Sequence, residues 1–243
     1  MNATPSSAFI VSLPKSGTEF VANSLMDTYG LDRPSIGSGA FPNINLDYNK
    51  LSRFGGGGLV ATGHFAPNSY NTFVLSEFVP RVAIILRDPR DAVISFARMF
   101  GREHPLDGFH SKLYGFSTVA SSSPFDQLRF AIEYWLPQFI AFCNDWISIA
   151  TADPVRYRIF HVVGDQGRRT LPDLAEFFRL PEYSATDWKI DRARAIHKSP
   201  YPSSKLLLGA ELRGLVDRYP LGAVGDFLRL SGYSGDQSDI VPM

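Results

Sequence analysis

The sequence predicts an α/β fold: a single domain built on a central parallel β-sheet flanked by helices. Three observations carry that prediction. Short apolar runs recur at Ala8 to Val11, Leu59 to Thr62 and Arg81 to Leu86, and the last is apolar throughout after Arg81, as a strand covered on both faces should be. Each run gives way to turn residues and then to helical spacing. With 243 residues, 44% apolar and 20% charged, the chain has the length and composition of one globular α/β core. No internal repeat or second compositional regime divides it, so residues 1–243 are expected as one domain, with 1–7 and 233–243 as flexible tails.

The first strand runs into Pro14-Lys15-Ser16-Gly17, after which Thr18, Leu25 and Met26 begin and continue a helical face, with Gly30 placed to end it. A strand, a glycine turn and a helix start form an anion cradle: the turn faces free N–H groups and the positive end of the helix dipole. Lys15 adds a full charge there, and Ser16 and Thr18 add hydroxyl donors. Residues Leu31 to Phe54 lack periodicity and read as a long binding loop or lid with a short helix near Asp47 to Leu51, followed by a flexible joint at Gly55 to Gly58. After the second strand, His64 stands where parallel sheets place their ligands. Asn68 or Ser69 suits the cap of a helix over Tyr70 to Phe78.

The third strand leads into Arg87-Asp88-Pro89-Arg90-Asp91, with Pro89 and Asp91 suited to a first helical turn. The irregular stretch from Gly101 to Pro124 offers His104, Phe109, His110, Tyr114 and Phe116 as lining for an acceptor pocket. A long aromatic helix then begins at Pro124 or Asp126 and contains Pro137. Arg156 to Val163 reads as a further strand, Leu171 to Leu180 as an amphipathic helix, and Leu206 to Leu230 as helical segments around Pro220.

Composition also excludes functions. Zero formal net charge argues against a general electrostatic grip on nucleic acid. The single cysteine, Cys143, allows no internal disulfide or multi-cysteine metal site, and is expected as a small buried residue. The two loop histidines have no acidic or histidine partner at tight ligand spacing, so no metal is expected. No apolar run approaches a membrane span, and Met1 to Ser7 lacks the basic flank and apolar block of a signal peptide. The expectation is a soluble cytoplasmic protein without a membrane or nucleic-acid partner; oligomeric state is not readable.

Pro14-Lys15-Ser16-Gly17-Thr18 differs from the nucleotide-triphosphate loop, in which Lys follows the second Gly. It resembles the 5′-phosphosulfate loop of sulfotransferases that use 3′-phosphoadenosine 5′-phosphosulfate (PAPS). Arg87-Asp88-Pro89-Arg90-Asp91-Ala92-Val93-Ile94-Ser95-Phe96 resembles the 3′-phosphate motif of the same family. His64 lies between them, where the family places its catalytic base. These motifs span Phe9 to Phe100, under half of the chain.

The resemblance implies a P-loop-like sulfotransferase fold and a PAPS-dependent enzyme of the EC 2.8.2 type. It would transfer a sulfuryl group to a hydroxyl or amine and release adenosine 3′,5′-bisphosphate (PAP), without a metal. It implies that Lys15, Ser16, Gly17 and Thr18 hold the 5′-phosphosulfate, that Phe20 stacks on adenine, and that Arg87 and Ser95 hold the 3′-phosphate. Lys198, in His197-Lys198-Ser199, would stand for the family's basic C-terminal loop. His64 and Lys15 carry the catalytic roles of general base and charge neutraliser. The acceptor is expected to be a small phenol, alcohol or amine such as a natural product, or a cationic molecule meeting Asp47 or Asp107.

Two departures from the family stand out. Glu19 replaces a small hydroxyl or amide residue, and must point outward, pair with a cation or act on the acceptor. Val163-Gly164-Asp165 lacks the family's Tyr and Glu. Two alternatives stay open: a P-loop kinase or nucleotide hydrolase, disfavoured by the position of Lys15, and a catalytically silent nucleotide-binding relative.

Overall fold

In the computed structural model, which describes residues 6–98, 114–119, 122–161, 166–182 and 210–230, the strands β1 (Ala8–Ser12), β4 (Val60–Gly63), β5 (Val82–Leu86) and β6 (Tyr157–His161) form one parallel four-stranded sheet in the order β4-β1-β5-β6. The chain leaves β1 toward β4 on one side and returns to β5 on the other. The strand order therefore reverses around β1, and parallel α/β sheets bind their ligands at the carboxyl ends of the strands at such a reversal.

Every residue of β1 and β5 is buried, which explains why the sequence shows continuous apolar runs there instead of alternation. Ala8 and Ile10 of β1 join Ala83, Ile85, Val60 and Phe160 in one core. Against them pack Val21, Ala22 and Leu25 of α1 (Thr18–Tyr29), and Leu171, Leu174, Phe177 and Phe178 of a helix at Gln166–Phe178. Phe9 points to the opposite face and meets the rings of Phe54 and Phe65. The alternation of a strand thus persists, although both faces are apolar.

The segment after α1 is more ordered than its sequence suggests. Gly37–Ser38 (β2) and Asn45–Leu46 (β3) pair antiparallel, and Asp47 caps the short helix α2 (Tyr48–Leu51) by accepting from the Lys50 N–H. The expected glycine joint is partly a 3-10 turn over Phe54–Gly56. Asn68 caps α3 (Ser69–Phe78) through the Asn71 N–H, and Asn71 is itself buried, bonding the Leu46 N–H and the Ile44 and Ala66 carbonyls. Such a fully engaged buried amide pins the β2–β3 hairpin to α3.

The chain divides into two compact units, Met1–Arg87 with Asp145–Lys198, and Asp88–Asn144 with Ser199–Met243. The sheet belongs to the first. In the second lie α4 (Pro89–Arg98), most of α5 (Pro124–Ala152), and, after α6 (the Gln166–Phe178 helix of the first unit), α7 (Ala210–Val216) and α8 (Ala223–Leu230). Phe96 of α4 sits edge-on to Tyr114, Trp135 and Phe139, and the Trp135 indole donates to the Tyr114 carbonyl at 3.2 Å. Tyr114, expected to line a pocket, is therefore engaged in an aromatic cluster. Cys143 is buried as expected, and burial raises its thiol pKa far above the ordinary value. Among the described residues no helix is long and apolar enough to cross a membrane.

Candidate active site

The sequence places Lys15, His64 and Arg87 just past the carboxyl ends of β1, β4 and β5, three neighbouring strands. The structure brings them together in the first unit. Lys15 adopts φ 67 and Gly17 φ 87, so the chain turns through left-handed conformations on its way into α1. Gly17 takes this at little cost, whereas Lys15 is strained there. The turn is held by the Ser16 N–H on the Leu13 carbonyl and by the Leu13 N–H on the Ile85 carbonyl of β5. Gly17 is the N-cap and supplies no side-chain acceptor. The first-turn N–H groups of α1, which no helix can satisfy internally, are thus left uncapped by it.

Arg87 reaches across from β5 and donates from Nη1 to the Lys15 carbonyl at 3.3 Å. Two cationic side chains thereby share one turn. Burial, and then the nearby Arg87 guanidinium, lower the Lys15 ammonium pKa below its ordinary value. The Ser16 hydroxyl is buried and has no hydrogen-bond partner among the described residues. A buried donor without an acceptor, beside two cations and a helix N-terminus, fits an anionic phosphate or sulfate oxygen.

The His64 ring is positioned by its neighbours in the chain. Phe65 is buried, folding its ring beneath Gly63 and Gly37, where an added Cβ would stand 2.4 Å and 2.6 Å from it. The Phe65 carbonyl accepts from the Trp146 indole at 2.9 Å. The glycine before His64 is therefore a packing requirement. His64 Nδ1 donates to the Ser12 carbonyl at 2.8 Å and lies 3.3 Å from the Ser12 hydroxyl. A carbonyl can only accept, so the neutral ring carries its proton on Nδ1 and keeps the Nε2 lone pair, the form a general base needs. Burial pushes the imidazole pKa below its ordinary value. The Ser12 carbonyl and the Glu19 carboxylate oppose that shift, while Lys15 and Arg33 add to it.

Thr18 engages its hydroxyl with that of Ser12 at 2.5 Å, so it joins the glycine turn to the His64 contact. Glu19 meets a fork from Arg33, with Nη1 and Nη2 each 2.6 Å from a carboxylate oxygen. Of the three roles open to Glu19, the structure shows pairing with a cation. Arg33 Nη2 also donates to the Thr62 hydroxyl at 2.6 Å. Phe20 packs partly buried against the core. Ser95 is half-buried on α4 in the second unit. Asp47 is occupied in capping α2. Phe116 lies on a 3-10 turn, Phe116–Thr118. Lys198, His104, Asp107, Phe109, His110 and Val163 to Asp165 lie outside the described residues. Among the described residues, no group of three His, Cys, Asp or Glu side chains is arranged to hold a metal.

Sequence reasoning missed Ser12 and Arg33. Ser12 carried a faint signal, as a hydroxyl closing an otherwise apolar strand. Arg33, in an aperiodic loop, carried none.

No protein-family model matches the sequence, and no curated protein sequence matches it. Among solved structures, the crystal structure of mouse sulfotransferase SULT7A1 complexed with PAP is similar, with a TM-score of 0.57 at 12% identity, covering 97% of this chain and 86% of that one. At that identity the likeness establishes the fold: the chain has a sulfotransferase-like α/β architecture.

Proposed function

We propose that this protein is a PAPS-dependent sulfotransferase acting on a hydroxyl or amine of a small molecule. The observation that carries the proposal is the meeting of Lys15, the orphaned Ser16 hydroxyl and Arg87 at one glycine turn, with the Nδ1-protonated His64 held to the end of the same strand. The similarity to a PAP-bound sulfotransferase supports it.

When bound, PAPS supplies an activated sulfuryl group attached to its 5′-phosphate. The chain's own part is positional and electrostatic. His64 Nε2 takes the proton of the acceptor hydroxyl or amine. Lys15 neutralises charge growing on the oxygen that links sulfur to phosphorus, and Ser16 and the first-turn N–H groups of α1 hold the adjacent oxygens. Arg87 and Ser95 are assigned the 3′-phosphate, and Phe20 and Lys198 the adenine and the closing basic contact, from the sequence motifs. No metal ligand enters this scheme. The acceptor is proposed to be a phenol, alcohol or amine of natural-product size.

Incubation with sulfur-35-labelled PAPS and a panel of phenols, alcohols and amines tests the activity. Transfer is expected with the wild type, and His64→Ala should lower it by about 100- to 10,000-fold while keeping PAP affinity. Magnesium-dependent ATP turnover without sulfuryl transfer would instead identify a kinase or hydrolase. PAP binding without any transfer would identify a silent relative.

A further inference from the structure

The activity proposed above rests on the His64 imidazole, and a path of hydrogen bonds and short chain links leads from that imidazole back to itself. Nδ1 of His64 donates to the Ser12 carbonyl at 2.8 Å. The Ser12 hydroxyl meets that of Thr18 at 2.5 Å. Thr18 and Glu19 are consecutive in the first turn of α1. Glu19 receives the Arg33 fork, and Arg33 passes a third hydrogen bond to Thr62. Thr62 lies on β4, two residues before His64, which closes the path.

We propose that the Arg33–Glu19 pair is a positioning element for His64, closing this circuit so that the ring is kept in its Nδ1–H tautomer. The proposal deepens the sulfotransferase reading and depends on it for its catalytic meaning. Arg33 and Glu19 are partly exposed, with side chains 26% and 53% accessible, so the pair contributes little to stability as an ion pair alone. Its value is geometric. Nη2 is shared between a Glu19 oxygen and Thr62, while Nη1 holds the second carboxylate oxygen. Only a planar guanidinium can span all three, and a lysine ammonium lacks the fork. The same loop carries Phe41, which is buried and stands edge-on to the imidazole with ring centres 6.5 Å apart.

The charged and polar groups facing the imidazole are Glu19 from α1, Lys15 from the turn, Arg33 from the loop and the Ser12 carbonyl from β1. Removing Arg33 takes a cation away from the imidazole and should raise the proton affinity of the ring. Removing the Glu19 charge should lower it. Those opposite shifts follow from charge alone, so the tautomer of the ring is the readout that reports positioning.

Nitrogen-15 NMR of His64 in the full chain, for wild type, Arg33→Ala, Arg33→Lys and Glu19→Gln, tests this together with thermal melts and the pH profile of kcat/KM. Wild type should show one Nδ1–H tautomer. Both Arg33 variants should show a mixture, with the titration midpoint raised in Arg33→Ala and lowered in Glu19→Gln. A drop in kcat/KM of about 10- to 100-fold is expected in Arg33→Ala. An unchanged tautomer in Arg33 variants that still fold would overturn the proposal, whatever the midpoints and melting temperatures do. Should Arg33→Ala not fold, Arg33→Lys and Glu19→Gln decide it. If the wild type transfers no sulfuryl group, the NMR arms still decide: a changed tautomer supports the positioning role while the activity reading fails.

Discussion

Two helices begin at the ends of adjacent strands, α1 after β1 and α4 after β5, and they begin in opposite ways. The α1 start has a glycine cap without a side chain, two left-handed residues and a cation at Lys15. The α4 start is closed by its own carboxylate: buried Asp88 accepts from the Arg90 N–H at 2.9 Å and also receives the Arg90 guanidinium at 2.6 Å. One helix therefore starts without a side-chain cap at its first turn, while the other has the Arg90 N–H of its first turn taken by its own carboxylate. Two motifs that look alike as strand–turn–helix units thus differ in how the helix start is capped.

The sharpest way to break this comparison is to remove the charge from the open turn. Lys15→Ala should reduce sulfuryl transfer by about 100- to 1,000-fold, measured as kcat/KM, because a preorganised charge is lost where charge develops. Gly63→Ala should follow. Its Cβ would collide with the Phe65 ring, costing about 1–3 kcal/mol of stability, and the displaced chain carries His64, so melting temperature and turnover should fall together.

Closing and opening the two caps sharpens the contrast further. Gly17→Ala would force a Cβ onto a left-handed residue, costing about 1–2 kcal/mol, and should weaken PAP binding as well. Asp88→Ala should cost a similar amount, about 1–2 kcal/mol, through loss of the cap, yet leave PAP affinity nearly as it was. Calorimetric titration and chemical denaturation of both variants would separate the open start from the closed one. Equal losses of affinity would erase the distinction.

The smallest expected effect is on pH dependence. The His64 pKa is depressed in the folded chain, so the unfolded chain binds more protons below the ordinary histidine value. Stability from this group is therefore full above the unfolded pKa and is lost as pH falls through it toward the folded pKa. The base form persists over the same range, so kcat/KM should rise with pH only through the depressed folded pKa and level off before the ordinary histidine value is reached. Replacing His64 by Ala should flatten that part of the stability profile.

Much of the framework was legible because its signals are local. Continuous apolar runs marked β1 and β5, Gly17 and Gly30 marked the two ends of α1, and Asn68 marked the start of α3. Motif order pointed to Lys15, His64 and Arg87 without any knowledge of strand order. The legible site stopped where contacts become long-range. Arg33 finds Glu19 and Thr62 across 14 and 29 positions of sequence, through a loop without periodicity. The β2–β3 hairpin was hidden because paired segments of two residues are too short to alternate. Helix α6 begins at Gln166, earlier than its apolar periodicity suggests. The cap at Asp88 carries no distinct sequence signal, because Pro89 and Asp91 beside it mark the first turn equally well.

The most direct test of the central claim is a calorimetric titration of PAP into wild type, Lys15→Ala and Arg87→Ala, with magnesium ATP as the competing ligand. Wild type should bind PAP without metal and more tightly than magnesium ATP, and each variant should lose most of that affinity. Absence of PAP binding to the folded wild type, or affinity untouched by both substitutions, would contradict it.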